Sequence, residues 1–311
     1  MQLDMKRIIL VSALVAAAFC SAAQTRSAVV TISVSNMRSE PDYESSLENQ
    51  VLMGRIVDVL DSTGYWRKVS ARCPEYTGWI NALALATVED VLQYEAVPKY
   101  LCTADFSYVY SRPSLRSSRI CDLVQGDILI VGPERPRRGF SSVCLPSGKL
   151  GWVRSSDLEF KERYFAGKTP TAEGIIATAM RYVGVPYLWG GNSPKGFDCS
   201  GLVGHAYFMN GIQLPRNASQ QVKLGDGIDI SGVSEGDFSA FEPGDLMFFG
   251  NKETGRVTHV ALYIGDGHII HASQLVRINS LVPGTEDYYE NSHRLLYCRR
   301  ILGSSMPIEK K

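Results

Sequence analysis

Pro186-Tyr187-Leu188-Trp189-Gly190-Gly191 leads to Phe197-Asp198-Cys199-Ser200-Gly201-Leu202-Val203, and this stretch decides how the C-terminal half is read. A glycine-rich loop delivers a cysteine to the start of an apolar run over 199–209, a helix by its composition. The free N–H groups and positive dipole end at such a start favour thiolate over thiol, so Cys199 is a candidate nucleophile. Asp198 stands where a helix cap is expected, and capping does not exclude a second role in binding an amine. A nucleophilic thiol needs a base, and the base needs a partner to orient it. The chain has five histidines: His205, His259, His268, His271 and His293. His259 falls within an apolar strand over 257–264, and His271 ends the next strand, over 267–272. The Gly265-Asp266-Gly267 turn between them predicts a hairpin that sets His259 beside His271. His268 faces the other way by the alternation of strand side chains. His205 lies inside the helix and reads as structural, and His293 as a surface residue. Trp189 reads as a core aromatic.

Outward from this stretch, Thr171 precedes an apolar run over 172–180 and Gly184 follows it, which predicts a helix of about three turns. Strands are expected over 245–249 and 295–301. Helices mixed with antiparallel strands make residues 165–303 an α+β domain.

The N-terminal half repeats itself. Ser35 to Gly54 and Ser107 to Gly126 align at an offset of 72, with Pro41 on Pro113, Ser45-Ser46 on Ser117-Ser118 and Gly54 on Gly126. Gly78-Trp79-Ile80 then aligns with Gly151-Trp152-Val153 at an offset of 73. Each unit consists of short β-branched and aromatic runs between Gly, Pro and Ser turns. Strands are expected over 29–34, 55–60, 127–131 and 151–154, and the spacing predicts two small all-β barrels, at 25–90 and 95–160. Trp79 and Trp152 read as core aromatics.

Lys plus Arg and Asp plus Glu number 32 each, so no strong field favours nucleic acid. Lys6-Arg7, an apolar run from Ile8 to Cys20 and Ser21-Ala22-Ala23 describe a secretory leader over 1–23. The run is too short to span a bilayer. Cleavage after Ala23 is expected, with export to the periplasm or beyond the cell. Lipidation at Cys20 is disfavoured because Phe19 sits where a small residue belongs. Of the six remaining cysteines, Cys102, Cys121 and Cys144 lie close enough in sequence for one disulfide, and buried free thiols are the equal alternative.

Tyr187-x-Trp189-Gly190-Gly191, Asp198 to Val203, Pro243-Gly244-Asp245-Leu246, the His259 strand and His271 together resemble the NlpC/p60 family of cell-wall cysteine peptidases. Arg38-Ser39-Glu40-Pro41, a glycine before an apolar strand and the closing Gly-Trp-Ile/Val resemble bacterial SH3-like domains. The resemblance implies two SH3-like barrels ahead of a papain-like α+β catalytic domain, with Cys199 as nucleophile, His259 as base and His271 orienting it. With two such barrels it narrows to γ-D-glutamyl-L-diamino-acid endopeptidases, in which the first barrel closes one end of the site so that only a free N-terminal L-Ala fits. It then implies peptidoglycan stem peptides (L-Ala-γ-D-Glu-diamino acid) as partners, no cofactor, and a monomer. Tyr187, Asp198, Ser200 and Ser219, with Glu48 and Tyr76 from the first barrel, are the implied substrate-binding residues. An N-acetylmuramoyl-L-alanine amidase, a general wall-remodelling endopeptidase and a non-catalytic wall-binding module remain open. A zinc site on His259 and His271 lacks further ligands.

Overall fold

The computed structural model describes residues 26–304, so the leader and Cys20 lie outside the described residues. Two seven-stranded antiparallel sheets come first. In spatial order the first runs Leu47–Leu52, Val34–Arg38, Glu75–Asn81, Trp66–Arg72, Ile56–Thr63, Arg26–Val30, Leu85–Val88. The second runs Arg119–Val124, Phe106–Tyr110, Leu150–Arg154, Phe140–Cys144, Ile128–Val131, Lys99–Cys102, Leu158–Phe160, the same order element for element. The sequence offsets survive in the register. Arg38 pairs with Trp79 in the first sheet, and Tyr110 with Trp152 in the second. The repeated serines also share a task. Ser45 Oγ lies 3.0 and 2.7 Å from the carbonyls of Glu40 and Asp42, and Ser117 Oγ 3.0 and 2.8 Å from those of Arg112 and Ser114. Each ties off a polar turn whose backbone would otherwise lack partners. The strand expected over 29–34 is instead two, broken at residues 31–33 so that the chain can cross to another edge.

Ala28, Met37, Val51, Val57, Val69 and Ile80 come from six strands of the first sheet and meet in one core, so the sheet curls into a barrel. Leu101 excepted, the second follows suit around Cys102, Val109, Leu123, Leu129, Val143 and Val153. Burying each Val, Leu, Ile or Met among them contributes ~1.5–3 kcal/mol. Trp79 and Trp152 are both buried. The barrels meet at Gly54 and Asp127. Asp127 accepts from the Met53 and Val124 amides at 3.1 and 2.9 Å, and the Ile128 amide reaches the Met53 carbonyl at 3.0 Å. Burial lifts the Asp127 carboxyl well above the usual range. A Cβ on Gly54 would fall 2.3 Å from the Ile128 carbonyl oxygen, and its φ of +80° is left-handed. Glycine is required there.

The third unit is a six-stranded antiparallel sheet in the order Asp226–Ile228, Leu295–Arg300, Leu246–Gly250, Val257–Gly265, His268–Ser273, Leu275–Ser280. Helices Ala172–Met180, capped by Thr171, and Cys199–Met209 cover one face. Ile175, Leu202, Val203 and Ala206 pack there on Phe248, Val260, Leu262, Ile270 and Ala272. Met247, Phe249, Ala261, Ile269 and Tyr289 form a second layer on the other face. His205 is buried and structural: its Nε2 lies 2.9 Å from Gln125 Oε1 of the second barrel, which Tyr182 also reaches at 2.7 Å. All six described cysteines are free thiols, which removes the disulfide alternative; Cys102 and Cys298 are buried among apolar neighbours.

Candidate active site

Cys199 opens its helix behind the Asp198 cap and is only 8% exposed. The backbone amides of Val260 and Ser200 point at its sulfur, so the thiol lies against the His259 strand. Burial, with the Asp198 charge behind it, pushes the thiol up to about 11, and those amides and Arg216 only partly offset it. The helix start favours the thiolate and burial opposes it.

The Gly265-Asp266-Gly267 turn, left-handed at all three residues, closes the hairpin and aligns Leu262 with Ile270. His259 Nε2 therefore meets His271 Nδ1 at 2.8 Å. His271, fully buried, has its Nε2 2.9 Å from Asn279 Oδ1 on the next strand. The Tyr289 ring stands edge-on to His271 at 4.8 Å, and Phe249 flanks His259 at 6.0 Å. Burial, and for His259 also the neighbouring His271, depresses both imidazoles, to about 3 and about 4. Burial thus works against a standing charge on any of the three groups. The ring nitrogens of His268 and His293 make local contacts, 2.8 Å each, with the Asp266 and Glu290 carbonyls.

Asp198 is saturated by donors. Its Oδ1 accepts from the Gly201 amide at 2.7 Å, Arg216 Nη1 at 3.0 Å and Ser200 Oγ at 3.2 Å. Its Oδ2 accepts from Arg216 Nη2 at 2.5 Å and the Gly190 amide at 3.1 Å. Arg216, 3% exposed, also donates through Nε to Asn49 of the first barrel at 2.7 Å. Neighbouring Gln50 receives the Asn192 amide at 3.1 Å on Oε1 and Asn192 Nδ2 at 2.9 Å on its carbonyl. This brings the first barrel onto the Gly190-Gly191 turn, where a Cβ on Gly190 would sit 2.7 Å from the Leu47 carbonyl oxygen.

Next to that contact, Tyr76 donates its hydroxyl to Glu48 Oε2 at 3.2 Å, and Asn217 also reaches Tyr76. Among the described residues no Lys or Arg forms an ion pair with Glu48. Tyr187 is half-buried close to Cys199 and Asp198; burial first, then those charges, raises its hydroxyl. Ser200 is buried against Arg216, whereas Ser219 is exposed on the short helix Ala218–Gln221, two residues past Asn217. Trp189, expected in the core, is 63% exposed. Arg216, Asn49, Gln50 and Asn279 were not singled out from the sequence. Among the described residues no group of His, Cys, Asp and Glu could hold a metal, and no helix is long and apolar enough to cross a membrane.

The NlpC/P60 family profile matches residues 184–294, and the profile of the bacterial dipeptidyl-peptidase Sh3 domain matches 37–85. A γ-D-glutamyl-L-lysine dipeptidyl-peptidase of Bacillus cereus is 31% identical over 255 residues, 79% of this chain and 73% of that protein. The chain belongs to the NlpC/P60 family. This NlpC/P60 protein is thus a cysteine peptidase carrying SH3-like domains. It is also 29% identical to dipeptidyl-peptidase 6 of Lysinibacillus sphaericus over 269 residues, 82% of this chain and 91% of that one. A crystal structure of a Bacillus cereus NlpC/P60 family protein superposes with a TM-score of 0.74 at 28% identity, covering 89% of this chain and 99% of that one. The NlpC/P60 assignment therefore includes the arrangement of all three domains.

Proposed function

We propose that this peptidase is exported and hydrolyses the amide between the γ-carboxyl of D-Glu and the diamino acid in peptidoglycan stem peptides, favouring stems whose N-terminal L-Ala amine is free. The relatives named for the γ-D-glutamyl-L-lysine bond support the choice of bond. The basic-apolar-small composition over 1–23 supports export. The observation that carries the amine preference is Glu48: a carboxylate without an ion-paired Lys or Arg among the described residues, held by Tyr76, where the first barrel meets the Gly190 turn. Asp198 is already balanced by Arg216, so in this reading it shapes the slot and Glu48 supplies the charge for the ammonium.

Cys199 acts as nucleophile and His259 as general base. The thiol proton passes to His259 Nδ1 as sulfur bonds the γ-carbonyl carbon. The oxyanion develops near the N–H of Cys199 at the helix start, a preorganised donor. The C–N bond then breaks, and His259 returns the proton to the departing amine. Water, deprotonated by His259, cleaves the thioester, giving the γ-carboxylate and restoring the thiol. Tyr187, Ser200, Ser219 and Tyr76 line the acyl side in this assignment.

Initial rates on free and N-acetylated L-Ala-γ-D-Glu-diamino-acid tripeptides at one concentration test the proposal. Losing a charged partner from a buried pair costs ~3–5 kcal/mol, so acetylation should slow cleavage at least about a hundredfold. Equal rates would remove the amine slot and favour a general wall-remodelling endopeptidase. Release of L-Ala from muramic acid would indicate an amidase.

A further inference from the structure

We propose that Asn279 is a positioning residue that sets the tautomers of both histidines, and that the anchor of the whole chain of protons is one backbone carbonyl. The carbonyl is that of Asp287. It accepts from the Ser280 amide at 3.0 Å, a contact that ties the loop to the strand Leu275–Ser280. It also accepts from Asn279 Nδ2 at 2.6 Å. A carbonyl offers no hydrogen, so the nitrogen end of the Asn279 amide must face it, and Oδ1 must face His271.

The consequences then run in one direction. Oδ1 only accepts, so His271 carries its hydrogen on Nε2, 2.9 Å away. A neutral His271 so protonated has a bare Nδ1. That atom lies 2.8 Å from His259 Nε2, which must therefore carry the hydrogen of His259. His259 is left with a bare Nδ1, the form a base needs. The opposite tautomer pair would set lone pair against lone pair at His271 and Asn279, or turn the amide oxygen onto the Asp287 carbonyl. Asn279 is 8% exposed, so water has little access to relieve either clash.

The groups facing this relay come from four segments. His271 faces His259, its cross-strand neighbour Arg277, Asn279 and the Tyr289 ring. His259 faces Phe249, Tyr289 and the charge of Arg294. Among the described residues no carboxylate hydrogen-bonds to either imidazole, so the amide of Asn279 orients the pair without adding charge.

The proposal rests on the catalytic roles given above, and its test separates the two. Long-range proton–nitrogen NMR of histidine-labelled resting enzyme at pH 7 should show Nε2–H on both His259 and His271, whatever the substrate. In Asn279→Leu the tautomers should redistribute and kcat fall at least about tenfold with KM little changed. Asn279→Asp keeps the acceptor and adds charge beside His271, so the acid limb of kcat/KM should move to higher pH. Nδ1–H on His259 in the wild type overturns the proposal. So does a folded Asn279→Leu with unchanged tautomers and kcat. If that variant does not fold, the wild-type spectrum decides alone. The expected tautomers together with an active His259→Ala would instead refute the catalytic reading.

Discussion

Arg216 grips Asp198 through both terminal nitrogens, at 3.0 and 2.5 Å, while its Nε holds Asn49 of the first barrel at 2.7 Å. One buried guanidinium thus fixes the helix cap beside the nucleophile and the docking of another domain.

Arg216→Ala leaves the Asp198 charge buried and unpaired, which costs ~3–5 kcal/mol. Arg216→Lys should recover only part, because an ammonium cannot supply the planar fork. Urea denaturation should rank wild type above Lys above Ala, and hydrolysis should fall in the same order.

Cys199→Ala should abolish hydrolysis while the midpoint of thermal unfolding stays close to wild type, since alanine keeps the Cβ and the helix start and removes one sulfur atom. In the wild type, alkylation by iodoacetamide, followed at Cys199 by peptide mass spectrometry because other thiols are free, should report the raised thiol. Its rate should climb about tenfold per pH unit from 7 towards the shifted value of about 11. A plateau already reached near pH 5 would show an ion pair instead.

His271→Ala should be milder than His259→Ala. One residue transfers the proton, and the other fixes its tautomer and orientation. Reversed losses in kcat/KM would exchange the two roles.

Acid should unfold the protein through its buried histidines. His205, near 3, and His271, near 4, are both depressed from 6.5 by burial. Below pH 6.5 the unfolded chain binds protons that the native state refuses, so stability is full above that pH and falls as pH drops towards 4. Each contributes a slope of up to about 1.4 kcal/mol per pH unit. Urea midpoints at pH 7, 6, 5 and 4 measure it, and a flat series would contradict neutral burial.

Much of the fold was legible where a local signal coincides with a tertiary need. Thr171 and Asp198 cap the two helices expected from them, and the glycine turn at 265–267 makes the hairpin that joins His259 to His271. The repeat was legible because Ser45, Gly54 and their counterparts perform identical backbone tasks. Arg216 was not, since an arginine after Leu214-Pro215 reads as solvated until a second domain buries it. Asn279 was hidden with its strand: the turn before it is made by Gln274 at φ +64°, where no glycine announces a reversal. The burial that opposes a thiolate at Cys199 was not legible, because a helix end seen in sequence carries no information about what covers it. Trp189 reads as core by type, but only a neighbour could have buried it.

The strand Leu47–Leu52 lies at the margin of its sheet, and the peptidase turn at Asn192 is what meets its outer side. Cut away from the enzyme, the first barrel would present that margin bare, an invitation to pair with other chains. The two pieces are therefore poor candidates for exchange as independent modules during evolution. A replacement barrel would have to bring its own Asn49 and Gln50 to the seam, and a replacement peptidase its own Asn192. Their inheritance should be joint, with substitutions on one side of the seam tracked by substitutions on the other.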